Sequence, residues 1–576
     1  MNYIEKKWWK EASIYQIYVS SFKDSNGDGF GDLKGLLSKL DYIEQLGVDA
    51  VWLTPIFASP LHDMGYDVSD YCAIHPRYGD IHDIEQLSRE LHDRGIKLLL
   101  DLVVNHTSNE HPWFIESRSS KTNPKRDWYI WRPPVYDENG NRHPPTNWAA
   151  FFSPSAWEWD EETQEYYLHI FLPEQPDLNW ENKDLRNAVA DIIHFWMKLG
   201  VDGFRMDAID LISKGTIEDA PIRYPSHEFQ PAQEYFTNGP KLHEYLRLLG
   251  STINDSNGFS IGELACIKNT DDYLKIVGSN RKELDTAYNF TLVNIDHSSD
   301  DKFGREKWNL TDLKALINDW QTKIFEGGGW YSSYLENHDQ PRSISRFLPY
   351  SSDLRTEAAK LLATMLIFQG GTPFIFQGQE LGLANIPLDW PIEEYKDKVS
   401  LDYWEEQVKC SPSESERVKI LHKINYFARD NGRLPMQWNS SDNAGFTEKD
   451  VEPWMRVNDD YKEWNAELQA QSKDTVLSFY KTALKLRKEH QKSLIYGRFT
   501  LLSPEDEQIF SFTRTSLDEQ AQSIVIMNFT NKTVEYVAPL DLSGYEFLLG
   551  NYPEFDNTSQ ALRLRPFESI LLTRTN

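Results

Sequence analysis

The sequence predicts an α/β protein: a (β/α)8 TIM barrel with a loop-rich domain inserted after strand 3 and a C-terminal antiparallel β-sandwich. Three observations predict it. An amphipathic segment, a glycine and a short apolar run recur along the chain. A polar, Pro- and Trp-rich stretch interrupts that recurrence at 107–182. From 496 onward the pattern changes to short alternating runs.

LKGLLSKLDYIEQLG ends at Gly47 and VDAVWLTP follows; DIEQLSRELHDRG ends at Gly95 and IKLLLDLVVNH follows. DLRNAVADIIHFWMKLG ends at Gly200 before VDGFRMDA, and TEAAKLLATMLIFQGG precedes TPFIFQGQE. Apolar residues at helical spacing, a glycine stop and a β-branched run read as a helix, its C-cap and a strand. The strands are continuously apolar, which means burial on both faces in a parallel sheet. Repeated units of this kind close into a barrel. A doubly wound sheet would carry a Gly-rich phosphate loop, and the one candidate, GDGFGD at 27–32, has the wrong spacing and charge. The expected barrel covers 1–106 and 183–495 with a helical insertion at about 384–446, the inserted domain 107–182 and the sandwich 496–576. The runs FTLLS, QIFSFTRT, SIVIMNFT, VEYVAPL, YEFLLG and SILLTRT supply the sandwich strands.

Composition excludes several functions. Against 60 Lys+Arg stand 89 Asp+Glu, a net charge of −29 over 576 residues. So acidic a chain lacks the basic stripe that nucleic acid or an anionic membrane requires. Cys72, Cys266 and Cys410 are scattered, with no C-x-x-C pair to hold zinc. The start, MNYIEKKWWKEASIYQIYVSSF, lacks the apolar core of a signal peptide, and the window 361–376 is too short and Gly/Pro-broken to span a bilayer. A cytoplasmic monomer is expected. Aromatic residues make up 13% of the chain, with 19 Trp, enough to serve both a core and sugar-stacking surfaces.

Catalytic groups of a barrel project from the C-terminal ends of its strands. Those ends carry Asp101, Asn105 and His106; Arg205 and Asp207; Glu263; and His338 with Asp339. One carboxylate past an apolar strand reads as a cap or a structural ion pair, whereas four strand ends loaded this way read as an active site.

DLVVNH (101–106), GFRMDAID (203–210), GE (262–263) and ENHD (336–339) resemble, in this order, the four signature regions of the α-amylase superfamily, glycoside hydrolase family 13. GVDAVWLTP, QPDLNW and GTPFIFQGQE match its supplementary regions. The resemblance runs from about Trp8 to the C-terminus and is strongest to the α-glucosidase branch, the maltases and oligo-1,6-glucosidases, fungal ones especially.

What the resemblance implies is an exo-acting, retaining α-glucosidase that releases glucose from maltose and short malto-oligosaccharides, with sucrose also open. Asp207 is then the nucleophile, Glu263 the acid/base and Asp339 the third carboxylate, which binds ring hydroxyls. Arg205, two residues before Asp207 on the same strand face, is expected to hold Asp207 ionised by lowering its pKa. Glu263 needs a raised pKa to protonate the leaving oxygen. His106 and His338 would donate to sugar hydroxyls, Tyr66 would stack on the ring, and Asp67 would bind hydroxyls and pair with Arg433 to close the pocket beyond one glucose. Phe152 and Phe171 match pocket-lining positions, with core packing as the alternative. Ala208, where α-1,6 enzymes of the branch tend to carry Val, points to α-1,4 bonds. Leu264, Ala265 and Cys266 also lean away from isomaltose.

Asp24, Asn26, Asp28, Phe30 (through its carbonyl) and Asp32 copy the start of a calcium loop, although Gly35 stands where the bidentate Glu would be. Relatives bind Ca²⁺ or Mg²⁺ here in a structural role, and Asx turns are the alternative. An oligo-1,6-glucosidase or a sucrose isomerase is the competing reading within the family. The isomerase lacks support, since no RLDRD-type segment lies near Arg433. A non-catalytic transporter heavy chain would need a membrane helix and eroded carboxylates, and the sequence has neither feature.

Overall fold

The computed structural model describes residues 4–267, 269–298, 301–410, 413–555 and 561–575. Eight strands make one sheet: β1 (Ile14–Ile17), β2 (Ala50–Leu53), β3 (Lys97–Val103), β4 (Gly203–Asp207), β5 (Phe259–Leu264), β6 (Thr286–Asn289), β7 (Ser332–Ser333) and β8 (Thr372–Phe376). Their order is β6-β5-β4-β3-β2-β1-β8-β7. Strands successive in sequence lie side by side, and β1 runs parallel to β8 with Ile14 opposite Phe374. The sheet therefore curls into the nearly closed parallel barrel that the alternation predicts. Strands β1 to β5, β7 and β8 are buried along almost their whole length, as burial on both faces requires.

The chain divides into two compact units, Met1–Val51 with Arg94–Ile96 and Thr291–Asn576, and Trp52–Asp93 with Lys97–Phe290. In the second unit, helix Lys183–Lys198 starts on Asn182, whose side chain accepts from the backbone N–H groups of Asp184 and Leu185. It stops at Gly200, which has φ +94°. A Cβ there would come within 2.5 Å of Ser88 Oγ, so the stop serves packing as well as conformation. The inserted segment of this unit holds a three-stranded antiparallel sheet (Trp131–Arg132, Glu165–Leu168, Trp157–Asp160). Trp148, Trp157, Tyr166, Leu211 and Phe236 form its core, with Ala208 in the same cluster.

In the first unit, helix Arg355–Phe368 is buried almost all round. The apolar window at 361–376 is thus the end of a core helix followed by β8, and no helix among the described residues is long and apolar enough to cross a membrane. Helices Lys398–Lys409 and Glu414–Phe427 lie within the stretch read as a helical insertion. The C-terminal strands form a five-stranded antiparallel sheet, and a second pair, Val534–Val537 with Ala561–Leu564, shares its core through Tyr536, Leu562 and Leu564. That is a sandwich.

Candidate active site

Strand register builds the first half of the site. Arg205 on β4 lies opposite Asp101 on β3, and Met206 lies opposite Gly262 on β5, which sets Glu263 beside Asp207. Alternation then turns Arg205 and Asp207 to one face. Arg205 is the hub. Its Nη1 donates to Asp101 Oδ1 at 2.9 Å and to Asp207 Oδ1 at 2.7 Å, while Nη2 reaches Glu263 Oε1 at 2.5 Å. Asp207 and Glu263 thus sit side by side on one guanidinium. The other oxygen of Glu263 accepts from the backbone N–H of Ala208 at 2.9 Å. That N–H is aimed at Glu263 by an unusual backbone: Ala208 has φ 40° and ψ 43°, a left-handed conformation that L residues rarely adopt.

One expectation is corrected here. Arg205 does pull Asp207 toward the ionised form, yet Asp207 lies above the usual carboxylate range, chiefly because burial penalises its charge, with Asp101 adding to the rise. Asp101 is raised for the same leading reason. One guanidinium cannot offset the desolvation of several carboxyl groups gathered around it.

Around this cluster the second unit sets several of the expected sugar contacts. Tyr66 donates through its hydroxyl to Asp101 Oδ2 at 3.2 Å, and the Arg205 guanidinium lies 5.9 Å from its ring centre. His106 is buried, and burial lowers its pKa, so the ring is neutral near pH 7. Its Nε2 lies 3.0 Å from Tyr66 O and 3.1 Å from Gln175 Nε2, and the same amide donates to Asp63 Oδ2 at 3.1 Å. Phe171 packs on His106 with ring centres 5.1 Å apart, and Phe152 packs on Phe171 at 5.5 Å. Phe171 also rests on the Trp148 cluster, so it combines the packing role with a position beside a candidate sugar ligand. Asp67 is wholly buried and its carboxylate is used locally: it accepts from Ser59 Oγ and from the N–H groups of His62 and Asp63.

The first unit carries the third carboxylate. Asp339 accepts from Arg433 Nη2 at 3.0 Å and Arg429 Nη1 at 3.3 Å, and its other oxygen lies 3.0 Å from His338 Nε2. Burial opposes its charge, but His338, Arg429 and Arg433 together hold it well below the usual carboxylate range. The Gln16 amide lies 2.8 Å from His338 Nδ1; donating there, it leaves the ring proton on Nε2, facing Asp339. Tyr18 stacks on the same ring at 6.2 Å. Asp67 is the partner expected of Arg433; the structure gives Arg433 two carboxylates of its own unit, Asp339 and Asp397, and the carbonyl of His338. Gln175, Asp63, Gln16, Arg429 and Asp397 escaped the sequence reading, because no periodicity or strand end marks them.

The metal loop is shaped by its own side chains. Asp24 Oδ1 accepts from the N–H of Asn26 and Gly27, and Oδ2 from Gly29 N and Thr447 Oγ1. Asp32 takes Ser25 and caps the helix at Gly35 N; Asn26 Oδ1 accepts from Asp28 N, and Asp28 Oδ1 from Phe30 N. Hard oxygen donors of this kind suit Ca²⁺ or Mg²⁺. In this arrangement, however, the lone pairs of Asp24 are spent on N–H and O–H donors. Among the described residues no group of three or more His, Cys, Asp or Glu gathers closely enough to hold a metal ion. The arrangement does not fit an ion as it stands.

Acidic groups paired on an arginine at the C-terminal ends of adjacent barrel strands define a class, the barrel glycoside hydrolases. Residues 16–497 match the family described as Alpha amylase, catalytic domain, and the chain belongs to it. It is 50% identical to an alpha-glucosidase of Schizosaccharomyces pombe, over 99% of this chain and 98% of the relative. It is 44% identical to an oligo-1,6-glucosidase of Parageobacillus thermoglucosidasius, over 98% and 99%. The crystal structure of Bacillus licheniformis trehalose-6-phosphate hydrolase superposes with a TM-score of 0.92 at 37% identity, covering 99% of this chain and 100% of that one.

Proposed function

We propose that the protein is an exo-acting, retaining α-glucosidase that releases glucose from the non-reducing end of maltose and short malto-oligosaccharides. The observation that carries the reading is that Asp207 and Glu263 share one guanidinium, Asp207 on Nη1 of Arg205 at 2.7 Å and Glu263 on Nη2 at 2.5 Å. An inverting enzyme parts its two carboxyl groups by about 6.5–9.5 Å to seat a water; two carboxyl groups side by side on one guanidinium support the closer spacing of a retaining enzyme, about 5–5.5 Å.

In the reaction Glu263 gives its proton to the glycosidic oxygen as the bond to C1 breaks, and an Asp207 oxygen bonds to C1. Water then attacks C1, Glu263 takes back a proton, and Asp207 leaves. Asp207 attacks as the carboxylate that Arg205 stabilises. Asp339, ionised and clamped by two arginines, accepts from ring hydroxyls, and those bonds strengthen as C1 turns oxocarbenium-like. His106 and Tyr66 complete the glucose contacts. No step draws on an ion in the 24–32 loop.

The preference for α-1,4 bonds rests on Ala208. It follows the nucleophile, its N–H binds the acid/base, and it is buried in the cluster with Leu211 and Trp148, so a branched side chain there would add bulk beside the nucleophile. The 44% relative named oligo-1,6-glucosidase favours the second reading, α-1,6 cleavage. Glucose release from maltose, sucrose, isomaltose and maltotriose, by wild type and Ala208→Val, separates them. Wild type should cleave maltose best and Ala208→Val should move the ratio toward isomaltose by about 10-fold or more. Fastest cleavage of isomaltose by the wild type would sink the α-1,4 assignment.

A further inference from the structure

Asp210 is a buried carboxylate that the mechanism above leaves unused. It sits on the short turn Ile209–Leu211 that follows the nucleophile strand, with none of its surface exposed. Its Oδ2 accepts from the backbone N–H of Cys266 at 2.7 Å. That donor comes from the segment immediately after Glu263. The turn is tied to β5 again at Ala208, whose N–H donates to Glu263 Oε2. Asp210 Oδ1 is buried without a hydrogen-bond partner, an arrangement that costs free energy and that a purely structural tie does not need.

We propose that Asp210 is a positioning residue for the acid/base: it fixes the segment after Glu263 against the turn after Asp207, and its charge keeps the proton on Glu263 toward the alkaline side. The proposal rests on the reading of Glu263 as the acid/base. Two groups of opposite sign bear on Glu263 from β4, Arg205 at 2.5 Å and its strand neighbour Asp207; Asp101 acts from β3 and Asp210 from its turn. Asp210 in turn faces Glu263 and, on its own loop, the buried ammonium of Lys214. That ammonium is engaged by Asp177 at 2.5 Å, Asn105 at 2.9 Å and the Leu211 carbonyl at 2.6 Å, so it is largely spent on other partners. Burial pushes Asp210 up to about 7, against the backbone N–H groups that favour its charged form. It therefore ionises near neutrality, and the charge it gains there makes loss of the Glu263 proton harder.

The test is the pH dependence of kcat/KM for Asp210→Asn on two substrates, maltose and an aryl α-glucoside whose phenol is acidic enough to leave unprotonated. Asn keeps an oxygen for the Cys266 N–H and drops the charge. With maltose the alkaline limb should move about one pH unit toward acid, a roughly tenfold loss of kcat/KM at a fixed pH on that limb. With the aryl glucoside, which needs no proton from Glu263 to form the glycosyl-enzyme, the limb should stay in place. Coincident wild-type and variant limbs with maltose, or an equal shift with both substrates, would overturn the proposal. Asp210→Ser, which also removes the charge, must reproduce the result if Asp210→Asn folds poorly. Glu263→Gln is the control for the underlying reading: it should lose maltose cleavage while still reacting with the aryl glucoside. Wild-type maltose cleavage by Glu263→Gln refutes the acid/base assignment itself, whatever Asp210→Asn shows.

Discussion

Replacing Arg205 by Met keeps a long apolar stem and removes the cation that Asp101, Asp207 and Glu263 share. Arg205 is 1% exposed, so the three carboxyl groups lose their charge partner where water cannot replace it. Breaking a buried pair from one side costs about 3–5 kcal/mol. For 576 residues the generic unfolding entropy is about 1.2 kcal/mol/K, so a loss of that size lowers Tm by roughly 3 °C. The loss depends on pH in a definite direction. The Asp207 and Asp101 pKa values already lie above the ordinary carboxylate range, and without Arg205 they rise further. Stability tied to a raised carboxyl is present below its ordinary pKa and is lost as pH rises through the folded value. The Tm deficit of Arg205→Met should therefore shrink to under about 1 °C at pH 5 and reach the full value by pH 8. Differential scanning fluorimetry across that range reads it, and kcat/KM on maltose should fall by about 10²–10³-fold in parallel. A Tm deficit independent of pH, or near-wild-type activity, would refute the hub role of Arg205.

Further outcomes follow from the same geometry. Asp207→Asn should cut turnover at least about 10⁴-fold, and its Tm should exceed that of the wild type increasingly above pH 6, because a buried charge is removed; a lower Tm at pH 8 would contradict the burial-dominated pKa. Chelation by EDTA should leave kcat/KM unchanged and move Tm by less than about 1 °C, since Asp24 and Asp32 are already satisfied by N–H and O–H donors. A fall of more than about 2 °C, reversed by Ca²⁺, would show that the loop rearranges around an ion.

The barrel was legible because its signal is local. Gly47 and Gly200 end helices where a left-handed residue is required, and several strands, AVWL at 50–53 and TPFIF at 372–376 among them, are apolar runs. The carboxylates were legible for the same reason, since they sit at the ends of those runs. Register is not local. That Arg205 lies opposite Asp101, and that one guanidinium serves several acids, follows from how β3, β4 and β5 align. Depth is not local either: GFRMD names the partner of Asp207 but not the burial that outweighs it. Gln175 beside His106 and Gln16 beside His338 come from segments 69 and 322 residues away; Gln175 opens the QPDLNW region, but nothing in that motif says which residue it meets, and nothing near Gln16 marks it. The carboxylates that Arg433 engages within its own unit were hidden for a related reason. A sequence match supplies a residue with a role, while Asp397, which shares Arg433 and Arg429 with Asp339, lies in a stretch that carries no motif.

The central claim is retention through an Asp207 glycosyl-enzyme, and proton NMR of the first turnovers tests it most directly. With maltose and enough enzyme to outrun mutarotation, the glucose cleaved from the non-reducing end should appear as the α-anomer and only later drift toward equilibrium. Initial release of β-glucose would mean a single displacement by water and would contradict the account.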